Sequence, residues 1–388
     1  MSQPVSSKKK KRNSYPMWCV RFWHGMKTGD WFKLLAENRF RVHPCGTGLM
    51  GTVTCVSPVN SIGSRVQTWR YGKRIAATEL RDPPVFIVGH WRSGTTFLHE
   101  LMVNDDRFDS PNTYQCFVPH HFLLSEWLVT RYLGFLMPKQ RPMDNMAVGF
   151  LRPHEDEFAL MNMGLPSPYK RMAFPNNPPP DLKYLNMEGL SQQELEAWKA
   201  GMHLFLKTLT FKNGKRLILK SPTHTGRVGV LAEMFPNSKF IHIARDPFDV
   251  YASTHHLWPA LEGVQCFQSP RYDERLDEFI FDCQDRMYRG YFSQRETIPS
   301  NRLCEVRYED VVRDPVGQLQ QIYSHLDLGD FEYARPAVEA FVASQKDYRK
   351  NDHQLDPALR DRIRERWAKY FENFGYAEES TAGEPSSV

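Results

Sequence analysis

The chain has 388 residues, 41% hydrophobic and 24% charged, a globular balance that excludes a mostly disordered chain and a polytopic membrane protein. Its net charge is +5, and Lys8 to Arg12 alone supplies five positive charges, so the rest is near neutral and gives no argument for nucleic acid as a partner. The seven cysteines show no CxxC or Cys/His spacing, which argues against a disulfide framework or a zinc site and for reduced thiols in a cytoplasm.

Residues 1–16 read as a basic disordered tail, with no apolar run behind Lys8 to Arg12 to make a secretory signal. Residues 17–80, rich in Trp and Arg, read as a helical N-terminal extension with an irregular middle. Within it Pro44 to Ser64 carries no charge, but four glycines and two prolines keep it too polar for a membrane span. A packed segment is expected there, with peripheral membrane contact through residues 8–64 as the sharper alternative. Residues 117–137 are apolar but contain His120, His121, Glu126 and Arg131, so an amphipathic helix is expected rather than a span.

An α/β pattern begins at Pro84 and defines a domain over 81–376, followed by a disordered tail over 377–388. VFIVGH (85–90) reads as a buried strand, and Thr95 to Val103 as a helix with Phe97, Leu98, Leu101 and Met102 on one face. Residues 164–181 hold six prolines and exclude regular structure. Ser191 and Glu194 form a capping box before a helix through Leu209. Strands follow at RLILK (216–220), KFIHIAR (239–245) and LCEVRYED (303–310), with helices at about 225–235 and from Pro247. Strands alternating with helices predict a three-layer sandwich, with a central parallel sheet flanked by helices and ligands at the carboxyl ends of the strands.

Directly after the first strand stands Gly89-His-Trp-Arg-Ser-Gly-Thr-Thr96. Both glycines and the final hydroxyl of a nucleotide-binding P-loop are present, but Thr95 occupies the lysine position. Such a strand–loop–helix aims backbone N–H groups and a helix N-terminus at an anion, and Arg92 adds a planar cationic fork. No Walker-B acid is convincing, because RLILK ends in Lys220 and Arg245 precedes Asp246.

VGHWRSGTTFLHELM together with KFIHIARDPFDVYAST resembles the sulfotransferases that use 3′-phosphoadenosine 5′-phosphosulfate (PAPS). The likeness is closest to the branch holding the tyrosylprotein sulfotransferases and their bacterial relatives. It runs from about residue 84 to 376 and includes LKSPTHTGRV, VRYEDVVRDP and RERWAKYFENFGY. The resemblance implies a P-loop-like fold, PAPS as co-substrate without metal, and a hydroxyl-bearing acceptor. It implies that Arg92, Ser93, Gly94, Thr95 and Thr96 cradle the phosphosulfate, and that Arg245 and Ser253 bind the 3′-phosphate. Lys220 is similar in place to a lysine that contacts the sulfuryl group, and Tyr308 to an aromatic near the adenine. The segment Lys346 to Asn351 either closes over the donor or is a solvated loop.

Transfer to a hydroxyl also needs a base for its proton. The tyrosylprotein branch carries a glutamate shortly after the loop, whereas SPNTYQCF (110–117) has no acid. The candidates are His120, His121 and the run His154-Glu155-Asp156-Glu157, with Glu155 or Glu157 favoured because adjacent helical residues face different ways. A P-loop-like kinase and a non-catalytic phosphoanion-binding protein are the competing readings. The aromatics of 110–180 suit sugars, lipids and phenols alike.

Overall fold

The computed structural model describes residues 15–16, 18–138, 140–142, 148–344 and 355–377. Lys8 to Arg12, Lys346 to Asn351 and residues 378–388 lie outside them. Strands β1 (Val85–Val88), β2 (Phe108–Asp109), β3 (Arg216–Lys220), β4 (Lys239–Ala244) and β5 (Leu303–Arg307) form one sheet in the order β2-β3-β1-β4-β5, with every pairing parallel. The helices that frame it are α1 (Thr28–Glu37), α2 (Thr47–Ala76), α3 (Thr95–Met102), α4 (Thr113–Phe117), α5 (Phe122–Tyr132), α6 (Asp156–Asn162) and α7 (Gln192–Asn213). They continue with α8 (Val228–Met234), α9 (Pro247–Gln265), α10 (Glu274–Gln294), α11 (Tyr308–Arg313), α12 (Pro315–Leu326), α13 (Phe331–Ser344), α14 (Pro357–Arg366) and α15 (Ala368–Asn373).

The central strand shows why the sheet has helices on both faces. All four residues of β1 are buried, and they alternate between two cores. Val85 and Ile87 pack with Leu98 and Leu101 of α3, Ile322 of α12 and Val338 of α13. Phe86 and Val88 join the larger core on the other face, which holds Trp198 of α7, Trp258 of α9 and Phe279 of α10. Burying each such side chain contributes about 1.5–3 kcal/mol. The expected α/β architecture is the one observed.

Three local expectations need correction. The middle of 17–80 is not irregular, because Thr47–Ala76 is one 30-residue helix. Its inward stripe is Val53, Ser57, Asn60 and Gln67, so polar residues hold buried helical positions and apolar periodicity cannot reveal them. Asn60 donates to the carbonyls of His24 (2.6 Å) and Met26 (2.9 Å), which is why an amide is buried there. Second, the proline-rich run includes a short 3-10 turn over Pro168–Met172. Third, the strand expected over 303–310 ends at Arg307, where Tyr308 begins α11.

The segment before α2 is tied into the interior through its tryptophans Trp23 and Trp31. Both are fully buried in the larger core, and Trp23 Nε1 donates to the Gln265 carbonyl at 2.6 Å. Among the described residues, no helix is long and apolar enough to cross a membrane.

Candidate active site

The parallel pairing brings the segments after β1, β3, β4 and β5 to one edge of the sheet. After β1 the chain turns through Gly89 (φ 145°), Arg92 (φ 68°) and Gly94 (φ 104°) into α3. A Cβ on Gly94 would stand 2.3 Å from the Tyr308 ring, so only glycine fits there. Arg92 holds a left-handed backbone without being glycine, a strained conformation of the kind that functional loops retain.

Around this turn the expected donor residues converge. Arg92 Nε donates to Ser253 Oγ at 2.8 Å, and Arg245 donates to the Arg92 carbonyl at 3.0 Å. Arg245 also pairs with Asp249 (3.1 Å) and lies over the Tyr308 ring, 4.6 Å from its centroid. Tyr370 of α15 holds the Arg245 backbone from both sides, donating to its carbonyl (3.1 Å) and accepting from its N–H (3.0 Å). Ser93 Oγ and Arg245 Nε are buried polar atoms without a hydrogen-bond partner, which suits a cradle for an anionic ligand. Thr95 is buried in the first turn of α3, and Thr96 follows it. Lys220, at the end of the neighbouring strand β3, donates to Thr96 Oγ1 at 3.3 Å.

Lys220 also donates to Glu155 Oε1 at 2.8 Å, with side-chain exposures of 4% and 17% for the pair. The other carboxylate oxygen of Glu155 accepts from the Tyr169 hydroxyl at 2.5 Å, and Tyr169 accepts from Trp91 Nε1 at 2.8 Å. Burial, and then the Glu155 charge, pushes the Tyr169 phenol well up, so it stays a donor. Glu155 is the N-cap residue of α6, yet its side chain makes no cap bond and reaches toward the loop instead.

The next two acids face elsewhere. Asp156 accepts from Ser221 (2.9 Å) and contacts His224 Nε2 (2.6 Å). Glu157 is fully buried against Arg227 (2.6 Å), Thr223 (2.9 Å) and Ser167 (2.6 Å). Burial opposes its charge, but the Arg227 guanidinium more than offsets this and holds the carboxyl below its usual range. As a candidate base, Glu157 is therefore not brought to the loop, and neither is Asp156. His120 Nε2 is occupied by the Asn162 carbonyl (2.7 Å), while His121 is held by Ser125 (2.8 Å) and Asn60 (3.1 Å). Burial lowers the pKa of His120 to about 3.

A cavity opens beside Lys220 and Glu155, with walls that are mainly apolar: Phe22, Phe117, Phe158, Leu257, Trp258 and Leu261. Trp91 lines it as well, so consecutive loop residues face two sides, Trp91 the cavity and Arg92 the Ser253 hydroxyl. Among the described residues, no group of three or more His, Cys, Asp or Glu is placed to hold a metal ion.

The family model described as "Sulfotransferase family" matches residues 83–332. The chain belongs to the sulfotransferase family. It is 44% identical over 359 residues to the omega-hydroxy-beta-dihydromenaquinone-9 sulfotransferases Stf3 of Mycobacterium bovis and Mycobacterium tuberculosis, covering 92% of each chain. The crystal structure of sulfotransferase STF9 from Mycobacterium avium has the same fold, with a TM-score of 0.65, 18% identity and coverage of 90% of this chain and 92% of that one. STF1 from Mycobacterium tuberculosis H37Rv gives 0.60 and 18%, covering 88% and 90%.

In this sulfotransferase the matched segment is not the whole site. Phe22 and Val20 of the cavity wall precede it, and Tyr370 behind Arg245 follows it. Sequence reasoning left two contributors unplaced. Trp91 stands inside the loop beside Arg92, and an aromatic in a glycine loop carries no signal in sequence that it lines a cavity. The run SPTHTGRV carries Ser221, Thr223, His224 and Arg227, which hold Asp156 and Glu157, and its polar residues were the available signal.

Proposed function

We propose that this sulfotransferase moves the sulfuryl group of PAPS to a hydroxyl on an apolar, lipid-type acceptor. The observation that carries the reading is the Lys220–Glu155 pair, which stands between the Arg92–Thr96 loop and an apolar cavity. Arg245 and Ser253 are suited to a 3′-phosphate, Tyr308 to the adenine, and residues 92–96 to the phosphosulfate. When bound, the donor supplies an activated sulfuryl group. Lys220 and Arg92 place positive charge where negative charge develops at the transferring group and its leaving oxygen. Glu155, oriented by Lys220 and Tyr169, accepts the acceptor's proton, since it is the carboxylate that faces both loop and cavity. Positioning and electrostatics then account for the catalysis.

The lipid-type acceptor is supported by the aromatic and aliphatic cavity walls, and by relatives named for a hydroxylated dihydromenaquinone. The test is incubation of the purified enzyme with PAPS and, in parallel, long-chain hydroxylated quinones or isoprenoid alcohols and short water-soluble phenols or sugars. Products are read by mass spectrometry, with ATP and magnesium as the control donor. Sulfated long-chain product from PAPS alone supports the proposal. Transfer only to the water-soluble alcohols overturns the acceptor class, and transfer from ATP overturns the donor.

A further inference from the structure

The outward side of α2 is apolar where the protein has no use for it. Val59, Ile62, Val66 and Trp69 recur at spacings of three and four, so they form one stripe, and all are exposed, Trp69 by 84%. The inward stripe of the same helix, Asn60, Gly63 and Gln67, packs on α5. Gln67 Oε1 accepts from the Leu123 N–H at 3.0 Å, and Asn60 Oδ1 contacts His121 Nε2 at 3.1 Å. The two helices therefore adjoin, and α5 turns its own apolar residues outward: Leu124, Trp127 (72% exposed), Leu128 and Tyr132. Immediately after α5, exposed Phe135 precedes Met137 and Pro138, which line the cavity; exposed Leu151 stands between the lining residues Gly149 and Arg152.

Charge on this face has one sign. No Asp or Glu occurs from Asn38 to Thr78, a stretch with six Lys and Arg. Arg65, Arg70, Lys73, Arg74 and Arg131 are exposed along the two helices. The one acid of α5, Glu126, is turned inward to Lys212 (2.5 Å), Asn112 and Gln115. Exposed tryptophans flanked by arginines and lysines match the boundary of an anionic bilayer, where the ring enters the headgroup layer and the cation stays with phosphate. Symmetric pairing of two copies through this face would instead oppose like charges.

We propose that the outward faces of α2 and α5 dock the enzyme on an anionic membrane surface, with Phe135 and Leu151 bringing the cavity rim to the same lipid. This goes beyond the acceptor reading, because it predicts binding to bilayers that contain neither acceptor nor donor.

Full-length protein is floated with vesicles of phosphatidylcholine, or of phosphatidylcholine with phosphatidylglycerol. Binding is expected to the anionic vesicles. Arg70→Gln with Lys73→Gln should weaken it roughly fivefold for each charge removed. Vesicles with brominated acyl chains should quench tryptophan fluorescence in the native protein, and that quenching should fall in Trp69→Phe with Trp127→Phe, a pair that keeps ring volume and the fold. Vesicle binding and quenching unchanged in both variants, with residues 1–14 carrying the contact, would overturn the proposal. Absence of vesicle binding would overturn it as well, and a dimer in sedimentation that Trp69→Ala with Trp127→Ala dissociates would show that the face pairs two copies instead.

Discussion

Three consecutive carboxylates, Glu155 to Glu157, separate into three environments because Glu155 is the extended N-cap of α6, while Asp156 and Glu157 lie within the helix, where neighbouring side chains point about 100° apart. Only Glu155 meets the cavity, and it does so on a lysine. Glu155→Gln is expected to lower turnover about 100-fold or more, with a smaller loss of stability than Glu157→Gln because Glu155 is partly exposed and the amide oxygen can still accept from Lys220, measured by steady-state rates and calorimetry. Lys220→Ala should cut turnover about 100- to 1000-fold with little change in affinity for the desulfated donor product, because its proposed partner is charge that develops in the transition state. Full turnover in Lys220→Ala would reduce the lysine to a structural role. Glu157→Gln should show the reverse pattern. It leaves Arg227 buried without its counter-charge, a loss of about 3–5 kcal/mol in stability, seen as a lower denaturation midpoint. The Glu157 carboxyl is held below its usual 4.5 in the folded protein. Its contribution to stability is thus complete above that pH and is lost as pH falls toward the folded value. Acid titration of the midpoint should therefore be shallower in Glu157→Gln than in the parent.

The β1–α3 turn works as an element because three residues take left-handed backbone within six positions. That geometry turns Trp91 to the cavity and Arg92 to Ser253, so one loop borders both an apolar cavity and a cluster of cationic side chains. Gly94→Ala must meet both a φ of 104° and a contact 2.3 Å from the Tyr308 ring. The strain expected for such a position is about 1–3 kcal/mol, which predicts a loss of affinity for the desulfated donor of about fivefold to 150-fold in titration calorimetry. Unchanged affinity would show that the loop does not cradle the donor.

The whole molecule is built around a core that draws on segments far apart in sequence. Trp23 and Trp31 near the N-terminus share it with Trp198, Trp258 and Tyr370. A chain beginning at residue 81, the boundary read from the sequence, would expose that core and lose Phe22 and Val20 from the cavity wall. It is expected to show no cooperative thermal transition by circular dichroism, whereas removal of residues 1–14 should leave the transition in place. A cooperative transition in the shorter chain would show that residues 17–80 are a dispensable extension.

The sequence alone was sufficient for the parallel α/β sheet, the anion loop and the family. Buried strands are β-branched runs, a phosphate-type loop needs glycine at set positions, and both signals are local. The family resemblance named Arg92, Lys220, Arg245, Ser253 and Tyr308 as one group, and the structure brings them together because β1, β3, β4 and β5 run parallel, so the segments after them meet at one end of the sheet. The sequence was not sufficient to choose among Glu155, Asp156, Glu157, His120 and His121, because for the acids that choice rests on partners 65 to 70 positions away, Lys220, Ser221 and Arg227, which only the packing of α6 on the segment after β3 selects. The long helix α2 escaped for a related reason. Its inner face is polar, and its amides are stable in the interior only because specific carbonyls and side chains of distant segments meet them. Tertiary structure decided those points, since a buried polar group has a meaning only once its partner is in place.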